Sequence, residues 1–81
     1  MDRAYYKVKI VENGTEAIYD YFNHELEAIG FARGYAQCLA ESGTQMLATG
    51  VPPQEGYQWW SKRGGIKIQV LDKEDKIFKY Q

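Results

Sequence analysis

The sequence predicts an α+β fold: an antiparallel sheet of four to five strands with one long helix packed on one face, in the order β-β-α-β-β-β. Three observations carry this expectation. Asn13-Gly14 sits between two runs rich in Tyr, Val and Ile, which is the composition and the turn of a β-hairpin. Residues 23–43 carry apolar side chains at helical spacing between a capping residue and a glycine. Gly64-Gly65 and the polar triplet at 73–75 divide the last third into three short β-rich runs. Strands and helix occur in blocks rather than in alternation, which points to α+β and not to a parallel α/β sheet.

The first hairpin runs through "AYYKVKIVENGTEAIYDYF". Both turn positions accept φ > 0, so a two-residue loop pairs Glu12 with Thr15, Ile10 with Ala17, Val8 with Tyr19 and Tyr6 with Tyr21. This register leaves Ile18 and Phe22 on the mixed outer face, and a bulge would move them inward. The helix, "NHELEAIGFARGYAQCLAESG", has Asn23 as its expected N-cap, Glu25 and Glu27 in its first turn, and Gly43 at C′. Ala28, Ile29, Phe31, Ala32, Tyr35, Ala36, Cys38 and Leu39 form one stripe, expected to face the sheet. Gly30 and Gly34 fall on the polar side, where each costs about 1 kcal/mol relative to Ala. Residues 44–55 lack periodicity, and Pro52-Pro53 excludes both a helix and a central strand there. The expected last strands are Tyr57–Arg63, Ile66–Leu71 and Lys76–Tyr80. A three-residue loop between the last two pairs Val70 with Phe78 and Ile68 with Tyr80.

Eighty-one residues make a single domain, 1–81. A chain this short buries only about 60% of its unfolded surface, so its core must be efficient. With 44% hydrophobic and 15% aromatic residues the supply suffices. Seven of the aromatics are Tyr, a ring that fills a core edge while its hydroxyl reaches water or a partner. The formal net charge of −1 gives no long-range pull on nucleic acid. The single Cys38 cannot form an internal disulfide, which favours a reducing cytoplasm over secretion, and no apolar run approaches the roughly 20 residues of a membrane span. The start has no signal-peptide layout. The expectation is a soluble cytoplasmic protein, acting in the host cytoplasm if phage-encoded.

Catalytic constellations are sparse. His24 is the sole histidine and stands at a helix start without a Ser, Cys or Asp at useful spacing. One His and one Cys fall short of the four N/S ligands of a structural zinc site, and "LDKEDK" lacks the glycine and spacing of a calcium loop. No motif calls for a metal or cofactor, and the expectation is a protein that is not an enzyme.

The stretch "YQWWSKRGG" is the informative one. Strand neighbours point to opposite faces, so a turn at Gly64-Gly65 sets Tyr57, Trp59 and Ser61 with Ile66, Ile68 and Val70 on the helix-covered side. Trp59 is expected buried. Trp60 and Lys62 then point to the open face with Lys7, Lys9, Lys67 and Lys79, opposed by Glu16 and Asp20. The candidate partner-binding residues are Trp60, Lys62, Arg63, Tyr5 and Lys67. Exposed aromatic and basic side chains are the types enriched at interface hot spots, which suggests a protein-binding module occupying a surface of a larger protein or nucleoprotein complex. The size and plainness are those of small phage and mobile-element inhibitors, including anti-defence proteins, at the level of class analogy only. The alternative is a single-strand nucleic-acid binder that stacks bases on an aromatic and basic sheet face. Against it stand the low isoelectric point, near 5.7, and the lack of a recognised nucleic-acid motif. A third reading is self-association into a homodimer through an uncovered sheet edge.

Overall fold

A computed structural model describes residues 5–48 and 57–78. Its elements are β1 (Tyr6–Glu12), β2 (Thr15–Phe22), α1 (Glu25–Glu41), β3 (Met46–Ala48), β4 (Gln58–Ser61) and β5 (Ile66–Leu71). The strands form one antiparallel sheet in the order β2-β1-β5-β4-β3, and α1 covers one face of it. The expected class and element order hold. The strands that fill the last three places differ.

The first turn forms as expected. Asn13 and Gly14 take φ of 50° and 86°, and Glu12 pairs with Thr15 across a two-residue loop. The register shifts between Val8 and Lys9, so that Lys9 faces Ile18 but Val8 faces Asp20. Tyr19 is thus the bulged residue, and the expected pairs Val8–Tyr19 and Tyr6–Tyr21 give way to Val8–Asp20 and Tyr6–Phe22. The bulge brings Phe22 to the helix side, where it packs against the core. Ile18 stays on the open face, 41% exposed.

Val8 and Ile10 of β1 with Ile68 and Val70 of β5 form the sheet half of the core, against Ala28, Ile29, Ala32 and Ala36 of α1. Four small or branched helix positions let α1 lie close to the two central strands. The buried stripe is narrower than the periodicity suggested. Tyr35 and Leu39, half-buried, pack against the edge of the core as expected, but Phe31 is 36% exposed and Cys38 is exposed. At 100° per residue, Phe31 and Cys38 lie about 115° and 135° from the centre of the buried four, beyond the reach of the sheet. The N-cap is His24 rather than Asn23 and makes no side-chain capping bond. The C-terminus closes as expected at Gly43, whose φ is 99°. Thr44 N–H donates to Leu39 (2.9 Å) and Gly43 N–H to Ala40 (3.1 Å), the paired bonds of a Schellman motif.

After α1, Met46–Ala48 forms an edge strand inside the segment read as an aperiodic connection. It pairs with β4 from Met46↔Ser61 to Ala48↔Trp59. The expected strand Lys76–Tyr80 appears among the described residues only as a bridge from Ile77 to Leu71. The pairing is nevertheless the expected one: Phe78 N–H donates to Val70 at 2.8 Å. Lys79 and Tyr80, with the Ile68–Tyr80 pair, lie outside the described residues, as do residues 49–56. No described helix is long and apolar enough to cross a membrane.

Candidate functional site

The turn after β4 spans Lys62 to Gly65, four residues rather than the expected two. Ser61, buried at 4% exposure, organises it. Its Oγ accepts the backbone N–H groups of Gly65 (2.9 Å) and Ile66 (3.0 Å), and its carbonyl accepts that of Gly64 (2.9 Å). Gly64 takes a φ of 83°, which an L side chain adopts only at a cost. The longer loop moves the register by two, pairing Trp59 with Ile68 and Trp60 with Lys67. A shift of two conserves the faces. Trp59 therefore packs on the core side, with Tyr57 at 6.5 Å and Phe78 stacked on Tyr57 at 6.0 Å. Trp60 points to the face without the helix. Both indoles are half-buried, so the two differ in face but not in depth as expected.

Cross-strand pairing sets out the open face as rows. Leu47, Trp60, Lys67, Val11 and Glu16 form one row across all five strands. Gln58, Gln69, Lys9 and Ile18 form the next, and Leu71, Lys7 and Tyr21 a third. Trp60 thus stands between Leu47, 44% exposed, and exposed Lys67. An open concavity of about 710 Å³ is lined by Trp60, Val11 and Lys67 and by Gly14 and Gly64 of the two turns. The two turns that line it are tied together, because Asn13 N–H donates to Gly65 at 2.8 Å.

The structure brings together four of the five expected residues. Lys62 and Arg63 are exposed on the turn beside Trp60 and Lys67. Lys62 does not continue the strand. Its N–H donates to Gln45 (2.8 Å), and both cations line a second concavity of about 970 Å³ on the other side of the paired turns, with Glu12 and Thr44. Tyr5 lies apart. It precedes β1, six residues from Val11, or roughly 20 Å along an extended chain. Its ring meets Tyr21 edge-on at 6.1 Å. Leu47 belongs to the site and is absent from the residues expected there, because a three-residue strand carries no readable period.

The charge of the open face differs from expectation as well. Lys7 is bonded to Asp75, and Lys9 pairs with Glu16 at 2.8 Å. The hydrogen bond and charge of Lys9 hold the Glu16 carboxyl below its usual range. Asp20, expected on this face, is carried by the bulge to the position opposite Val8. Lys67, Lys62 and Arg63 make no ion pair among the described residues. Among the described residues, the unpaired positive charge of this surface therefore lies at the Trp60 end, with Lys67 on the open face and Lys62 and Arg63 on the adjoining turn.

On the helix side, Tyr19, Tyr35, Phe31 and Phe22 form a chain of ring contacts at 5.5–6.4 Å. Tyr35 Oη also donates to Glu12 Oε1 at 3.5 Å. The Tyr19 hydroxyl, then partial burial and the nearby negative charges push the Tyr35 phenol up to about 12. His24 lies 3.6 Å from Glu25 at the start of α1. Among the described residues, no three His, Cys, Asp or Glu side chains gather into a metal-binding group. The sequence matches no protein-family model, and neither curated proteins nor solved structures give a match.

Proposed function

We propose that this protein is a non-catalytic protein-binding module, an inhibitor or adaptor that occupies a surface of a larger protein or nucleoprotein complex. It does so through the Trp60 end of the helix-free face. The observation that supports this reading is the row Leu47–Trp60–Lys67, with Lys62 and Arg63 on the adjoining turn. Trp60 and Arg63 are of the residue types that dominate interface hot spots, and exposed Leu47 and the neighbouring lysines supply an apolar contact and charge around them. The backbone here is held by the Ser61 turn and the Asn13–Gly65 bond, so little order need be gained on binding.

The rival reading, a single-strand nucleic-acid surface, requires a basic groove that follows the phosphate backbone. Lys7 and Lys9, which would extend such a groove across the sheet, are matched by Asp75 and Glu16. The test is affinity capture from nuclease-treated lysate with the wild-type chain and with Trp60→Ala, both checked for folding by circular dichroism. The expected result is a protein partner whose affinity for Trp60→Ala is weaker by about 2 kcal/mol, roughly 30-fold. Tight binding of labelled single-stranded DNA or RNA, weakened steeply by salt and lost in Trp60→Ala, would overturn the proposal.

A further inference from the structure

The geometry points to the chemistry of the partner: an acidic, extended protein segment that sets carboxylates against Lys67, Lys62 and Arg63 and an apolar side chain against Trp60. This rests on the protein-binding reading and adds the identity of the matching surface. Its first support is charge. The three cations at the turn end are exposed and make no ion pair among the described residues, while Lys7 and Lys9, on the sheet face that Lys67 shares, are neutralised by Asp75 and Glu16. Glu12 is the acid that shares the concavity of Lys62 and Arg63, and it is also engaged by the Tyr35 hydroxyl. Even with Glu12 counted against them, the described residues of this end carry an excess of two positive charges in a chain whose formal total is −1.

The second support is shape. The concavities of about 710 and 970 Å³ lie on either side of the paired turns and share Asn13, Gly65 and Ile66. Trp60 and Lys67 line the first, and Lys62 and Arg63 the second. A chain crossing the turns meets the indole on one side and the turn cations on the other. Carboxylates spaced along a peptide match cations confined to one end. A phosphate backbone, charged at every residue, also requires cations further along the sheet, and there the lysines are already paired. Complementary charge of this kind selects the partner and raises its on-rate, and the apolar contact slows its departure.

The test is selection of a displayed library of random 12-residue peptides on the immobilised full chain. It is run in parallel on Trp60→Ala and on a Lys62→Glu/Arg63→Glu/Lys67→Glu variant. A fluorescein-labelled oligo-dT of the same length serves as the nucleic-acid probe. The expected result is enrichment of peptides with several Asp or Glu residues around an aromatic or aliphatic one. Their binding should fall at least tenfold in both variants and exceed that of the oligo-dT. Enriched peptides that are neutral or basic but depend on Trp60 would overturn this inference and leave the protein-binding reading standing. Acidic peptides indifferent to either variant would overturn it too, since they bind elsewhere. Oligo-dT bound more tightly than any peptide, and lost in both variants, would overturn the inference and the reading together.

Discussion

Ile68→Ala tests the core on which the placement of the proposed binding face depends. Ile68 is fully buried, sits on a central strand, and is flanked in register by Ile10 of β1 and Trp59 of β4. Truncation removes three carbons, about 2.4 kcal/mol of transfer free energy at about 0.8 kcal/mol per methylene. The cavity left between β1, β4 and α1 adds to this, since neighbours on both sides are held by ladder bonds and relax little. The expected loss is about 3–4 kcal/mol, within the 2–5 kcal/mol typical of such truncations. At roughly 0.05–0.15 kcal/mol per residue the whole domain holds about 4–12 kcal/mol, so the variant keeps little margin. Urea unfolding followed by circular dichroism, with an unchanged m-value, reads the difference. Ile18→Ala is the internal control: the same side chain, on the open face and 41% exposed, should cost less than about 1 kcal/mol. Equal losses in the two variants would refute the assignment of faces, and with it the exposure of the Trp60 row.

Two further outcomes follow from the same geometry. Ser61→Ala strips the acceptor from the Gly65 and Ile66 N–H groups and should cost about 1–3 kcal/mol in urea unfolding. A neutral result would mean that the turn holds itself without Ser61. Tyr35 has its folded pKa raised from 10.0 to about 12, so the unfolded chain releases this proton first as pH rises. The contribution is fully present below pH 10 and lost between about pH 10 and 12, so the urea midpoint should fall more steeply over that window in the wild type than in Tyr35→Phe. Parallel pH profiles would refute the Tyr19–Tyr35–Glu12 arrangement.

Local chemistry made some elements legible in the sequence, and long-range packing decided the others. Asn13-Gly14 and Gly43 were readable because their backbone conformations admit few residues. Pairing of Val70 with Phe78 followed from apolar matching across a short loop. A bulge in the first hairpin was readable from the misplaced Ile18 and Phe22, but not its position at Tyr19, which brings in Phe22 and leaves Ile18 outside. The reason is that "AIYDYF" offers apolar residues in either register and the choice falls to aromatic contacts with α1. The stripe of α1 was read too wide, since periodicity ranks positions around a helix but does not say how far the sheet reaches. Trp60 was assigned to the correct face from a turn of the wrong length, because an error of two residues returns the same alternation. Tyr5 was grouped with it on face alone, and a face does not specify position along the strand. Glu16, which neutralises Lys9, was expected on this face from the hairpin register, whereas Asp75, which engages Lys7, comes from a distant turn that the sequence could not assign to it.

The central claim is that the Trp60 surface meets a protein, and site-specific photo-crosslinking addresses it most directly. Benzoylphenylalanine at position 60 keeps an aromatic ring in place of the indole. The same residue at position 34, on the outer face of α1 with open space beyond its Cβ, is the comparison. Irradiation in cells expressing the protein should give discrete, nuclease-resistant protein adducts at position 60 and none of the same adducts at position 34. Nucleic-acid adducts at position 60, or an identical adduct pattern from both positions, would contradict the account.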